Sequence, residues 1–211
     1  MRVSAMMNQR TLLKSAAVFL IAYMALLALS LQFGQRFVEL LLPIYRWEIS
    51  WFTPDYRILS LGLQDNRGEA VVAVNLQLMH YIVVEGHVLS PGGAISSSTL
   101  AGHALQDAVL MLSLLAAWPM RYVYQRLLLL VGAMPSLLLI EMLDTPMMLL
   151  GSIDDLILAN VAPDASSILV YWMHFLDGGG RLALSIAGAL LVVAMVRFWL
   201  PYCAVPNENE S

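Results

Sequence analysis

The sequence is poor in charge and in cysteine, and each shortage excludes a class of protein. Only 12% of its 211 residues are charged and 60% are hydrophobic, whereas a soluble domain carries about 25% charged residues. The apolar excess also excludes a disordered chain, which lacks the residues that build a core. The net charge of −4, with 11 scattered Lys and Arg, argues against nucleic-acid binding, which needs a basic surface. The single cysteine, Cys203, excludes intramolecular disulfides and paired-cysteine metal or redox motifs.

What is present is a set of long apolar segments, and the mean hydropathy is +0.74. A membrane-spanning helix needs about 20 mostly apolar residues. Four segments meet this requirement, at 15–33, 99–119, 127–144 and 182–200. The sequence therefore predicts a mainly α integral membrane protein with four transmembrane helices and a small antiparallel β segment between the first and the second.

The distribution of basic residues predicts the orientation of these helices. Arg10 and Lys14 precede the first span, and Arg121 and Arg126 lie in the short loop between the second and third. Short loops rich in Lys and Arg remain cytoplasmic. We therefore expect segments 1–14, 120–126 and 201–211 to be cytoplasmic, and segments 34–98 and 145–181 to be extracytoplasmic. The first span is alternatively a cleaved signal peptide, although its apolar run is longer than the usual 7–15 residues.

The first extracytoplasmic segment predicts an interfacial stretch followed by a β meander. An apolar run stops at Pro43 and is followed by aromatic residues, a pattern typical of the headgroup layer. Strands are then predicted at 57–63, 70–78 and 81–89, with a turn at 65–68. Ser96–Thr99 offers N-cap candidates for the second span. Three short strands bury little core, so the meander must pack on the membrane helices or on a partner.

The second extracytoplasmic segment predicts an amphipathic interfacial helix over 145–165, ended by Pro163. The apolar stretch after it, 168–200, is about 50 Å long if fully helical, which is too long for one straight crossing. We therefore expect a break at Gly178, Gly179 and Gly180.

Glu141, Asp144 and Arg181 form the first candidate constellation. All three should lie near the outer edge of the membrane, where an unpaired charge is costly. Arg181 can bind both carboxylates and so clamp the third span to the fourth. The alternative is that Arg181 binds an anionic headgroup or a peptide carboxylate.

The second constellation consists of imidazoles and carboxylates on the outer side. These ligand types suit zinc or copper, although the order lacks a known motif such as HExxH, and interfacial hydrogen bonding explains the same residues. The candidates are His80, His87, His103, Asp107, His174 and Asp177. No cofactor is expected, and copper or zinc is the one alternative.

Enzymatic machinery is not apparent in the sequence. Cys203 lies beyond the last span without a histidine to activate it, and the hydroxyls of Ser96–Thr99 near His103 lack a GxSxG context. Autonomous transport is also disfavoured, because four spans are few and mid-membrane charges are rare. We therefore expect a protein that is not an enzyme.

The order of parts resembles the small multi-pass proteins that are encoded beside exosortases, the membrane transpeptidases of Gram-negative bacteria. The resemblance rests on Leu42-Pro43 with its aromatics, the strands ending at Pro91, and Ala117-Trp118-Pro119. It implies an accessory role in the bacterial inner membrane. Exosortases use an outer Cys, Arg and His, and this chain has Arg181 and His174 there without a cysteine, so the sorting reaction itself is not implied.

The leading hypothesis is a non-catalytic accessory or assembly subunit of a larger inner-membrane complex, with the partner protein and the lipid bilayer as its contacts. The resemblance implies that this complex contains an exosortase. Two alternatives remain. One is an extracytoplasmic metal-handling protein or a membrane oxidoreductase subunit, and the other is a lipid- or peptide-binding module.

Overall fold

The computed structural model describes residues 9–84, 86–120 and 123–199. The polar C-terminal tail and Cys203 lie outside these residues, as do Arg121 and the first eight positions. The helices are α1 (Gln9–Phe52), α2 (Ala101–Ala117), α3 (Val123–Val161), α4 (Ile168–Phe175) and α5 (Arg181–Trp199), with a π-helical turn at Leu176–Gly180. The strands are β1 (Tyr56–Asn66), β2 (Glu69–Leu78), β3 (Ile82–Val84), β4 (His87–Leu89) and β5 (Ala94–Leu100).

Three helical segments are long and apolar enough to cross a membrane: Leu12–Phe52, Tyr124–Val161 and Ile168–Phe198. The predicted second span coincides with α2, which is apolar but has 17 residues. Its length of about 26 Å is slightly less than the ~30 Å thickness of the hydrocarbon layer. The protein is thus mostly helical and suited to a membrane, with three long apolar helices and a small antiparallel sheet.

Two long helices pass through prolines and continue beyond the bounds predicted from the sequence. The predicted interfacial stretch around Pro43 is the continuation of α1, which has 44 residues. The predicted interfacial helix after position 145 is likewise the C-terminal part of α3, which runs through Pro135 and Pro146. A proline removes one backbone hydrogen bond, and buried packing on both sides of Pro43 compensates for that loss. The buried residues there are Val38, Leu41, Tyr45 and Ile49.

The antiparallel sheet has the strand order β1-β2-β5. The predicted strands at 57–63 and 70–78 are present as β1 and β2. The turn between them has positive φ angles at Arg67 (57°) and Gly68 (87°), as a two-residue type I′ hairpin turn requires. The Asp65 side chain also accepts a hydrogen bond from the Gly68 N–H at 2.7 Å.

The third strand of the sheet differs from the prediction. The segment predicted as a strand at 81–89 forms the separate small hairpin β3–β4, and β5 pairs with β2 instead. Ser96–Thr99 therefore belongs to a strand and does not cap α2, whose N-cap residue Leu100 makes no side-chain capping bond. Serine-rich segments are weak strand formers, so the local sequence favoured the wrong structure.

The buried apolar residues form two cores. One lies under the sheet and joins β2 to α1, the start of α2 and the C-terminal part of α3, with Val38, Ile49, Val72, Leu76 and Leu150 among its members. The other joins α2, the N-terminal part of α3 and α5, with Met111, Leu129, Ala133, Val192 and Val196 among its members. The sheet therefore packs on this chain's own helices.

The expected break in the last apolar stretch is confirmed. The π-helical turn separates α4 from α5, and Gly179 within it has a φ of 107°. Gly180 is tightly packed, because a Cβ added there would lie 2.6 Å from the carbonyl oxygen of Phe175. The break thus depends on glycine for both a conformational and a steric reason.

Candidate functional site: a buried charged cluster

Most of the buried charged side chains lie together where α1, α2, α3 and α5 meet. We call this group the charged cluster, and its members are Tyr45, Asp107, Glu141, Asp144, Asp177, Arg181 and Ser185. Asp107, Glu141 and Asp144 are at most 1% exposed, and Arg181 is 6% exposed. Charges this deep in a membrane helix bundle are costly, so they mark a site of structural or functional importance.

Arg181 is the cationic centre of the charged cluster. Its Nε donates to Asp144 Oδ1 at 2.7 Å, and one of its terminal nitrogens donates to Asp177 Oδ1 at 3.1 Å. Asp177 lies four residues before Arg181 in the π-helical turn, and its side chain is 49% exposed. The first residue of α5 is thereby tied to α3 and to the turn before it.

Glu141 belongs to a different pair from the one predicted. Its Oε2 accepts a hydrogen bond from the Tyr45 hydroxyl at 2.8 Å, and this bond joins α1 to α3. The structure therefore brings Arg181 together with Asp144 and Asp177, and Glu141 together with Tyr45. Tyr45 was not a candidate from the sequence, because it lies 96 positions from Glu141 and carries no local signal.

Asp107 supplies the third link, between α2 and α5. The Ser185 hydroxyl contacts Asp107 Oδ1 at 2.7 Å and the Arg181 carbonyl oxygen at 3.0 Å. With the two links above, polar contacts connect α1, α2, α3 and α5 at one level of the protein. The sequence had assigned Asp107 only to a metal site.

The charged cluster has an excess of acid. Three fully buried carboxylates accompany one buried guanidinium, and one oxygen each of Asp107, Glu141 and Asp144 has no hydrogen-bond partner among the described residues. One terminal nitrogen of Arg181 is likewise without a partner among the described residues, so the binding of an anionic headgroup or peptide carboxylate by Arg181 stays a prediction.

One more buried carboxylate, Glu48, lies outside the charged cluster and was not a candidate from the sequence. It lies one turn after Tyr45 on α1, is 4% exposed, and its Oε2 has no partner in the part of the chain that the structure describes. Its position between two tryptophans had indicated an interfacial residue.

The histidines and carboxylates proposed as metal ligands do not form one group. Within residues 9–84, 86–120 and 123–199, no set of three or more His, Cys, Asp or Glu side chains is arranged to hold a metal ion. His80 precedes β3, and His87 is the first residue of β4. His103 lies on α2 with its Nδ1 at 3.4 Å from the Thr99 hydroxyl, and His174 lies in the last turn of α4. Asp107 and Asp177 contact Ser185 and Arg181 instead. The copper or zinc hypothesis thus rests on the sequence alone.

The chain matches no known family model, and neither curated proteins nor solved structures give a match to it. The function is therefore inferred from the sequence and the geometry of this chain.

Proposed function

We propose that this protein is a non-catalytic subunit of a larger complex in the bacterial inner membrane. The observation that carries the proposal is the environment of the N-terminal half of α1. From Leu12 to Phe33 no residue is buried, whereas 39% of the apolar window is buried in each of the other two long helices. The C-terminal half of the same helix is built into the core under the sheet.

The C-terminal half of α1 is thus packed in the protein, whereas its N-terminal half is exposed along its length and is free to contact a partner. Helices associate in membranes through close van der Waals packing and polar contacts. Exposed large hydrophobic side chains of this half, such as Leu31 (84%), Ile21 (70%) and Leu29 (50%), lie on more than one face of the helix. A partner helix, or a pair of them, can thus pack along it.

Features of the sequence support a proposal for the kind of partner and for the orientation. The resemblance to proteins encoded beside exosortases favours an exosortase-like membrane enzyme, and the basic residues before α1 and between α2 and α3 favour cytoplasmic termini. In this arrangement the sheet is extracytoplasmic, because it follows the C-terminal end of α1 and leads directly into α2.

Site-specific photo-crosslinking tests the subunit proposal. A photoreactive amino acid at Ile21 or Met24 should give a crosslink to one distinct membrane protein at native expression, identified by mass spectrometry. The matched control positions are Val131 and Met134, which lie on α3 and are equally exposed at 69% and 68%. Lipid adducts alone at all four positions, together with a lone protein on gentle purification, would contradict the proposal.

Labelling of an introduced cysteine tests the orientation. Ser98 is exposed on β5, and Ser98→Cys in a Cys203→Ser background should react with a membrane-impermeant maleimide added to intact cells whose outer membrane is permeabilised. Reaction only after lysis of the inner membrane would place the sheet in the cytoplasm.

A further inference from the structure

A pocket lies between the C-terminal part of α1 and the start of β1, outside the charged cluster. Its volume is about 550 Å³. The residues that line it are Pro43, Arg46, Trp47, Ser50, Tyr56, Arg57 and Ile58.

The charges of this pocket are basic. Two arginines, Arg46 and Arg57, line it from opposite sides and no acidic residue lines it. Neither guanidinium takes part in a hydrogen bond or an ion pair with the described part of the chain. A planar guanidinium pairs well with phosphate or carboxylate oxygens, so two of them in one pocket favour an anionic ligand.

Tyr56 also lines the pocket. Burial, together with the charges of Asp154 and Asp55, raises the pKa of Tyr56 above its ordinary value. The hydroxyl therefore stays protonated. These two aspartates lie near Tyr56 but do not line the pocket.

An exposed aromatic surface borders the pocket. Trp47 is 61% exposed and Trp51 is 70% exposed, and their rings stack in parallel with centroids 6.5 Å apart. Tryptophans with one face in contact with solvent or lipid are enriched where the hydrocarbon meets the headgroups.

The helix lengths place the pocket at that depth. Tyr45, the residue before Arg46, bonds to Glu141, and Asp144 on the next turn of α3 bonds to Arg181 at the start of α5. From that start, the 19 residues of α5 extend about 28 Å, close to the ~30 Å thickness of the hydrocarbon layer. Measured along α5, the level of Tyr45 is thus close to the start of the predicted fourth span, and along α1 it lies beyond the end of the predicted first span, on the side of the headgroups.

We propose that this pocket binds the phosphate of an anionic phospholipid. Arg46 and Arg57 contact the phosphate oxygens, and Trp47 packs against the glycerol and the first methylene groups. Free inorganic phosphate carries the same group as the lipid, and the experiment below distinguishes binding of the lipid from binding of free phosphate. The inference does not depend on the proposed role as a subunit.

Retention of lipid in native mass spectrometry provides the test. The purified, delipidated full-length protein is reconstituted in phosphatidylcholine nanodiscs with and without phosphatidylglycerol and then released for analysis. The native protein should retain one phosphatidylglycerol. The double variant Arg46→Gln/Arg57→Gln should retain at least about tenfold less, because it loses the charge-assisted hydrogen bonds of both guanidinium groups.

The matched control is Arg36→Gln/Arg67→Gln. Both of these arginines are exposed and neither lines the pocket, so this variant has the same change of net charge and should retain phosphatidylglycerol like the native protein. An equal loss in both double variants would show general attraction to an anionic surface and would overturn the pocket assignment. Displacement of the lipid by millimolar inorganic phosphate would identify a free-phosphate site and overturn the lipid assignment.

A second measurement does not depend on the arginine variants being folded. Tryptophan fluorescence of the native protein should be quenched more strongly by phosphatidylglycerol brominated near the headgroup than by the matching phosphatidylcholine, and Trp47→Phe should remove that difference. Equal quenching by the two lipids would contradict the proposal.

Discussion

Arg181 and Asp144 form a buried ion pair that joins the start of α5 to the middle of α3, with Nε and Oδ1 2.7 Å apart. Their side chains are 8% and 1% exposed. Both charges are removed from water, so the desolvation cost offsets much of their attraction. Removing one member is strongly destabilising, because it leaves the other charge buried without a partner.

The first prediction follows from that pair. Asp144→Asn leaves the Arg181 guanidinium buried with its main carboxylate lost, so the free energy of unfolding should fall by about 3–5 kcal/mol. Asp177→Asn removes the other partner, which is half exposed, and should cost only about 0–1 kcal/mol. Denaturant unfolding in mild detergent measures both. Equal losses in the two variants would show that burial does not set the strength of these contacts.

The second prediction concerns the link between α1 and α3. Tyr45→Phe removes the hydroxyl that donates to Glu141 and leaves a buried carboxylate without its donor, so stability should fall by about 1–3 kcal/mol. Tyr81→Phe is the control, because Tyr81 is 70% exposed, and its unfolding midpoint should not change. If Tyr45→Phe were as stable as the native protein, this hydrogen bond would not hold the two helices together.

The third prediction concerns the glycine triplet. Gly179→Ala forces a side chain into a positive φ, and Gly180→Ala places a Cβ 2.6 Å from the Phe175 carbonyl oxygen. Each should lower stability by about 1–2 kcal/mol. Gly178→Ala is the matched control, because nothing lies within 4 Å of its added Cβ. Thermal unfolding of the three variants in detergent should rank Gly178→Ala nearest to the native protein, and any other order would contradict the observed break.

The fourth prediction concerns the approach of α4 to α3. A Cβ at Gly151 would lie 2.6 Å from the carbonyl oxygen of Leu169, a backbone atom that cannot rotate away. Gly151→Ala should therefore push the two helices apart and cost about 1–3 kcal/mol. Gly102→Ala is the comparison, since position 102 on α2 has open space around it and alanine favours a helix. A protease-protection assay of the 162–167 loop should detect the loosened packing only in the Gly151 variant.

Local sequence signals predicted some elements of the fold and missed others for identifiable reasons. The alternation of Val72, Val74 and Leu76 and the turn at Gly68 are short-range patterns, so β1 and β2 were predicted nearly in place. Pro43 was taken as the end of an apolar run, because a proline removes a backbone hydrogen bond from a helix. In this protein, burial of the neighbouring turns keeps α1 continuous.

The charged cluster was predicted in part for a related reason. Rare charges in apolar segments are visible in the sequence, and Arg181 does meet Asp144. The partners Tyr45 and Ser185 are common residue types that lie far along the chain from Glu141 and Asp107, so only the tertiary structure brings them together. Arg46 and Arg57 likewise meet in one pocket because β1 folds back beside α1.

The last residue of β5, Leu100, is followed directly by Ala101, the first residue of α2. Strand pairing sets the position of Leu100 opposite Val71, so the sheet also sets the rotational phase of the helix that follows. One inserted residue at this junction would turn α2 by about 100° and carry Asp107 away from Ser185. The register of the three-stranded sheet therefore determines which face of α2 meets its neighbours.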